Sequence, residues 1–388
     1  MNTQERWHGV MQNNYGVPPI TLVKGEGLEV WDEDGKKYLD FLGGIATNAL
    51  GHAHPVIVKA VTSQIKELSH VSNLYAHKPG VELAEKLQDI ANDPLARVFF
   101  CNSGAEANEA AIKLSRLTGK REIIAAEGGF HGRTIGALSI TGQAAKRVPF
   151  EPLLSDISFV PYGDTQAMKK ALSRRTAMVI LEAIQGENGV VVPPEGYLQE
   201  VRELCDRYGA LLAIDAVQTG MGRTGNWFGF EEEGIRPDII TLAKGLGGGL
   251  PLGAMISLGN NAPSFKPGEH GSTFGGNPIS CAASNAAIDY IVKKDLLERV
   301  TDSGTYLKKQ LRKIPGVTEV RGRGLLLGIV LESKLSSAVA TKAMANGLLI
   351  NAPSKSVIRL APALIVSKKQ LHDFVDLFAK TIDQVQNG

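Results

Sequence analysis

LQEVRELCDRYGALLAID, residues 198–215, decides the fold class. Up to Tyr208 its apolar residues recur at helical spacing. A glycine comes next, then ALLAI, apolar at every position until Asp215. An amphipathic helix running directly into a strand buried on both faces is one half of a crossover unit, the unit that builds parallel sheets.

The same alternation recurs on both sides. Short apolar runs stand at RVFFC (97–101), EIIAA (122–126), AMVILEAI (177–184), DIITLA (238–243) and GAMISL (253–258), with longer amphipathic stretches among them. The expectation is an α/β fold with a mostly parallel central sheet. The chain ends read differently: EVWDEDGKKYLDF (29–41) predicts a hairpin, and the last 90 or so residues mix helices with short strands. Residues 1–45 and 296–388 are therefore assigned to a smaller α+β domain and residues 46–295 to a large one.

Forty-two basic against 40 acidic residues leave a formal charge of +2, which argues against a nucleic-acid partner needing a clustered basic excess. No apolar run approaches the ~18 residues of a membrane span, and MNTQERWHGV lacks a charged-then-apolar leader pattern. Cys101, Cys205 and Cys281 are odd in number and have no paired spacing, so neither a disulfide framework nor a metal cage is expected, and a reducing cytoplasm fits. The 43 glycines, about 11% against a typical ~7%, mark either low complexity or loops that bring backbone close to a ligand.

In an open parallel sheet ligands bind beyond the carboxyl ends of the strands. ALLAID ends on Asp215, and DIITLAK ends on Lys244 just before GLGGGLPLG. A lone aspartate there is more often a cap or turn former than a catalyst. A lysine set into a glycine turn, which clears space for a flat ligand, is harder to read as structural. Alternation puts Asp215 and Val217 on one face and Ala216 on the other, so a carboxylate and an apolar cover face the same ligand, as a protonated aromatic nitrogen heterocycle requires. CNSGAEANEAAIKL starts at Cys101 and places Ser103 and Glu106 at capping-box spacing. It also exposes the first N–H groups of a helix, at Gly104 and Ala105, to a phosphate. FHGRT (130–134) offers Phe130, His131 and Arg133, and the arginine suits a carboxylate. HGSTFGGNP puts Ser272 and Thr273 between glycines, where hydroxyls serve either turns or ligands.

Two segments invite other readings. GMGRTG (220–225) matches a dinucleotide fingerprint and would suggest an oxidoreductase, but it leads into NWFGFEEEG rather than an apolar-periodic helix. His52 and His54 invite a metal, yet no acidic or histidine partner completes a site in sequence, and a loop or helix-start role is expected.

With these segments in order, the chain resembles the class III, ornithine-type aminotransferases that use pyridoxal 5'-phosphate. The resemblance runs from Tyr15 and GEGLEVWDEDGKKYLDF through GGIATNALGHAHP, SGAEANEAAIKL, FHGRT, EAIQGENGV, AIDAVQTGMGRTG and LAKGLGGGLPLGA to EHGSTFGGNP and VIRLAPAL. GGIA followed by NALGHAHP looks like the acetylornithine branch, whose rivals use ornithine, 4-aminobutyrate or succinyl-diaminopimelate. The resemblance implies the type I fold of pyridoxal-phosphate enzymes and a homodimer with active sites at its interface. It implies a Schiff base on Lys244, a contact of Asp215 with the ring nitrogen and of Gln218 with the ring hydroxyl, and Phe130 and Val217 on the ring faces. Gly104 and Ala105 would hold the phosphate, with Thr273 reaching it from the neighbouring subunit. Arg133 and Ser272 would hold the carboxylate of the amine donor, with Tyr15 also at the substrate. Arg359 would hold the α-carboxylate of glutamate or 2-oxoglutarate, with Glu187 as its gate. The family commonly has Glu after the cofactor aspartate; Ala216 stands there in this chain, and alternation points it away from the cofactor.

Overall fold

The computed structural model describes residues 2–259 and 262–387. In chain order the N-terminal strands are β1 (Leu22–Glu26), β2 (Glu29–Asp32) and β3 (Lys37–Asp40). The strands of the large sheet are β4 (Arg97–Cys101), β5 (Glu122–Ala126), β6 (Ile157–Val160), β7 (Thr176–Glu182), β8 (Leu211–Asp215), β9 (Ile239–Leu242) and β10 (Gly253–Ser257). Five short strands complete the set: β11 (Val317–Arg323), β12 (Leu326–Leu331), β13 (Leu348–Leu349), β14 (Asn351–Ser354) and β15 (Val357–Leu360).

The large sheet has the order β4-β10-β9-β8-β7-β5-β6. Strands β6, β5, β7, β8 and β9 pair in parallel, whereas β10 is antiparallel to both of its neighbours. The GAMISL run thus belongs to the sheet but reverses it. β6 has no counterpart among the apolar runs read from sequence, because its ISFV is only partly buried at the sheet edge. Consecutive residues of the inner strands fall into different core clusters: Leu212 and Ile214 pack with Ile240 and Leu242, while Leu211 and Ala213 pack with Ile239 and Met255. That two-sided burial is why these strands read as continuous apolar runs. Helix Tyr197–Tyr208 crosses between β7 and β8, as the opening stretch predicts, and ends on Gly209 in the left-handed region (φ 60°).

The expected hairpin forms, with β2 and β3 antiparallel, and β13 from the far end of the chain joins it in parallel beside β3. A third sheet, β11-β12-β15-β14, carries Arg359 and Asn351. GMGRTG is a run of turns. Its Arg223, 2% exposed, donates to the Leu325 and Pro362 carbonyls, stitching the segment to the C-terminal part of the chain. Burial lowers the Arg223 pKa to about 10. His54 precedes the helix Pro55–Glu67, in keeping with a helix-start role, and His52 meets Asp40 at 2.9 Å, an acidic partner not visible in the local sequence.

Candidate active site

A cavity of about 470 Å³ opens at the carboxyl ends of β7, β8 and β9, where the helix Gly104–Arg116 begins. Of the residues singled out in the sequence, Gly104, Ala105, Phe130, Arg133, Asp215, Val217, Gln218 and Lys244 all line it. Ala216 does not: it is 1% exposed and packs in the core cluster on the other face of the sheet, as alternation requires.

Asp215 is 3% exposed and held on every side. Its Oδ2 accepts from Asn108 Nδ2 at 2.8 Å and meets His131 Nδ1 at 2.7 Å, and its Oδ1 accepts from the Val217 N–H at 3.0 Å. Thr241 donates to Asn108 Oδ1 at 2.8 Å, which fixes the amide so that its NH₂ faces the carboxylate. Burial alone would lower the His131 pKa, but the hydrogen bond with Asp215 and the charges of Asp215 and Glu182 raise it overall. These contacts arrange a fixed negative charge on the cavity floor.

Lys244 follows β9 after the single residue Ala243, at φ 46°, a left-handed conformation that costs a side-chain-bearing residue about 1–2 kcal/mol. Burial pushes its pKa below the ordinary lysine value, although the nearby Glu187 charge opposes this. Among the described residues no acceptor bonds its ammonium. An amine of lowered pKa, without a partner and facing a cavity, is poised as a nucleophile.

At the helix start, Ser103 Oγ accepts from the Glu106 N–H, as the spacing predicts, but Glu106 reaches back to Asn102, accepting from its N–H at 2.9 Å and from its Nδ2 at 2.8 Å. The Gly104 and Ala105 N–H groups stand in the first turn, where a helix has no internal acceptor for them, and the helix dipole favours an anion there. A Cβ on Gly104 would lie 2.8 Å from Val217 Cγ2, so glycine lets the helix start approach the floor closely.

Behind Gln218, Arg359 is 2% exposed and donates to Glu187 at 2.7 Å, to Gln218 Oε1 at 2.9 Å and to Asn351 at 2.8 Å. Burial raises the Glu187 pKa, but the charge and hydrogen bond of Arg359 outweigh it and hold the carboxylate below its usual range. Other expected residues stand apart from the cavity. Tyr15 is 85% exposed, and Ser272 and Thr273 border a second cleft whose wall shares Asn102 with the first. Ser272 Oγ accepts from Asn102 Nδ2 at 3.2 Å.

Glu182 was not among the expected site residues, although it ends β7 as Asp215 ends β8, directly beside it in register. It lines the cavity, is 4% exposed, and accepts from the Phe130 and Gly186 N–H groups at 3.1 and 3.3 Å. Burial raises its pKa to about 7.

The family model for "Aminotransferase class-III" matches residues 10–382. The chain belongs to the class-III aminotransferases. Among curated class-III aminotransferases, the acetylornithine aminotransferase of Streptomyces coelicolor is 53% identical across 98% of this chain and 95% of its own length. That of Mycolicibacterium smegmatis is 52% identical across 99% and 98%. Among solved class-III aminotransferases, the ornithine aminotransferase of Toxoplasma gondii superimposes with a TM-score of 0.94 at 31% identity, covering 100% of this chain and 96% of the other. The N-acetylornithine aminotransferase of Stenotrophomonas maltophilia does so with a TM-score of 0.83 at 34% identity, covering 96% and 98%. The cofactor of this class-III aminotransferase is pyridoxal phosphate, and the residues present fit it: an unpartnered lysine, a buried carboxylate on the floor, first-turn N–H groups for a phosphate, and a glycine where a Cβ would meet Val217.

Proposed function

We infer that this enzyme transfers the terminal amino group of N2-acetyl-L-ornithine to 2-oxoglutarate, giving N-acetylglutamate 5-semialdehyde and L-glutamate. The observation that carries the reading is the meeting of Lys244 and Asp215 in one cavity, flanked by Phe130 and Val217. Relatives about 50% identical over nearly the whole chain and named acetylornithine aminotransferase support this choice of substrate.

Pyridoxal phosphate supplies the electron sink for making and breaking the carbon–nitrogen bond. Asp215 would pair with its ring nitrogen and favour the protonated ring, held for that task by the three groups bonded to the carboxylate. Lys244 would carry the cofactor and, as a free amine, would move a proton at the reacting carbon of the substrate, a role that burial favours by lowering its pKa. Phe130 and Val217 would cover the ring faces, and Gln218 would meet the ring hydroxyl. Gly104 and Ala105 would hold the phosphate, together with Thr273 of a second copy in a homodimer. Arg133 and Ser272 hold the donor's carboxylate, with Tyr15 at the same end. Arg359 takes the α-carboxylate of glutamate or 2-oxoglutarate after Glu187 moves aside, so one cleft serves two differently charged substrates in turn. Residues 1–45 and 296–388 form the small domain beside the large one. Three unpaired, buried cysteines suit a reducing cytoplasm.

The purified enzyme should be yellow, lose its colour on borohydride treatment, and be colourless as Lys244→Ala. A colourless protein indifferent to added pyridoxal phosphate would overturn the reading. With 2-oxoglutarate as acceptor, kcat/KM should be highest for N-acetylornithine among N-acetylornithine, ornithine, 4-aminobutyrate and succinyl-diaminopimelate. A preference for free ornithine would move the enzyme to another branch of its family.

A further inference from the structure

Arg359 has three acceptors, and only one of them is charged. Glu187 comes from the turn that the Gln185–Val191 bridge closes, flanked by Gly186, and its side chain is 22% exposed. The two neutral acceptors come from firmer positions. Gln218 is 5% exposed beyond the end of β8. Asn351 lies directly across from Arg359 in the antiparallel β14–β15 pair, where opposed side chains share a face.

The arrangement separates two tasks. If Glu187 leaves to admit a substrate carboxylate, a buried guanidinium with no other partner would lose its aim, and an N–H left without an acceptor in such a place is costly. Asn351 Oδ1 keeps one of the terminal nitrogens occupied throughout, and because the amide is neutral the full positive charge remains for the incoming carboxylate. An aspartate at the same place would hold the guanidinium equally well but neutralise it. We propose that Asn351 is a positioning residue that keeps Arg359 aimed while Glu187 is displaced, and thereby sets the enzyme's affinity for its dicarboxylate acceptor. This role rests on the reading of Arg359 as the carboxylate site and Glu187 as its gate.

The experiment tracks the two half-reactions separately on the cofactor-loaded enzyme, with binding of glutarate, a five-carbon dicarboxylate that cannot be transaminated, measured by calorimetry. Asn351→Leu keeps the side-chain shape and removes the acceptor. The KM for 2-oxoglutarate and the glutarate dissociation constant should each rise by about tenfold or more, as expected for a lost hydrogen bond to a charged group, while kcat/KM for N-acetylornithine stays within about twofold. Asn351→Asp should also weaken both dicarboxylates, and it carries the test if the leucine variant does not melt cooperatively. Unchanged dicarboxylate affinity in a folded variant, or equal losses in both halves, would overturn the proposal. Arg359→Gln is run alongside: if it leaves the KM for 2-oxoglutarate untouched, the reading of Arg359 itself fails. If that KM rises while the Asn351 variants match the parent, only the role of Asn351 fails.

Discussion

Glu182 is a buried carboxyl that forms no ion pair among the described residues and faces a second carboxylate across the sheet. Its pKa is raised from an ordinary 4.5 to about 7, with burial as the first cause. Between those values the folded chain keeps a proton that the unfolded chain has released. The resulting stabilisation is full below about pH 4.5 and is lost as pH rises through about 7. Glu182→Gln is neutral throughout. It gives up one of two accepted backbone hydrogen bonds, but that cost does not depend on pH. The unfolding free energy of the variant relative to the parent should therefore climb between pH 5 and pH 8 by up to about 3 kcal/mol, read as a rise in its relative melting temperature. A constant difference across that range would place the proton elsewhere. Asp215 and Lys244 were legible because each closes an apolar run. Glu182 closes one too, but AMVILEAI reads as apolar on both sides of it, so the charge passed as an interruption. Asn108 and Thr241 carried no signal at all: Asn108 sits in a helix 107 residues from the carboxylate it holds, and Thr241 is 133 residues from Asn108. Only the folded sheet brings them together.

The helix Gly104–Arg116 meets the end of β8 at one tight contact, and that contact reverses an ordinary preference. At an unobstructed position in a helix alanine is favoured over glycine by up to about 1 kcal/mol. The Gly104 backbone needs no left-handed conformation, so alanine has no dihedral penalty there. Its Cβ would nonetheless lie within 2.9 Å of both γ-carbons of Val217. Gly104→Ala should lower stability by about 1–3 kcal/mol, the range of overpacked substitutions. Val217→Ala in the same chain should recover part of the loss. A denaturant double-mutant cycle should give a favourable coupling of about 1–2 kcal/mol, with retention of pyridoxal phosphate after dialysis falling in the same order. Additive effects would show that the contact does not constrain the helix. The helix start and its cap were legible from Ser103 and Glu106, whereas the return of Glu106 to Asn102 depends on the turn out of β4. The direction of β10 was not legible, because a strand buried on both faces has the same apolar pattern whichever way it runs.

At the scale of the molecule, the near-neutral charge leaves apolar surface free to associate, and one exposed region stands out. Leu74 and Tyr75 are 84% and 71% exposed, and Phe274 is 59% exposed. The two segments are joined by the His70–Phe274 ring contact, with centroids 4.9 Å apart, and by the hydrogen bond from Asn73 to the Gly275 carbonyl at 2.9 Å. Exposed apolar residues gathered in this way mark an interaction surface, and Thr273 stands in the same segment, outside its own chain's main cavity. The proposed homodimer assigns this face as its contact and each Thr273 to the other chain's phosphate site. The mass in solution should then be twice the chain's 41.5 kDa. A sharper check uses two damaged chains. Lys244→Ala has no carrier lysine, and Thr273→Asp sets a negative charge against the phosphate, so each alone should be inactive or nearly so. If every site takes its lysine from one chain and its threonine from the other, a mixed dimer contains one site with both native residues and one with both replacements. After unfolding and refolding in equal amounts, half the dimers are mixed, so activity should return to about a quarter of the parent level. If Thr273 served its own chain's site, no mixed dimer would hold an intact pair, and the refolded mixture would stay as inactive as its parts.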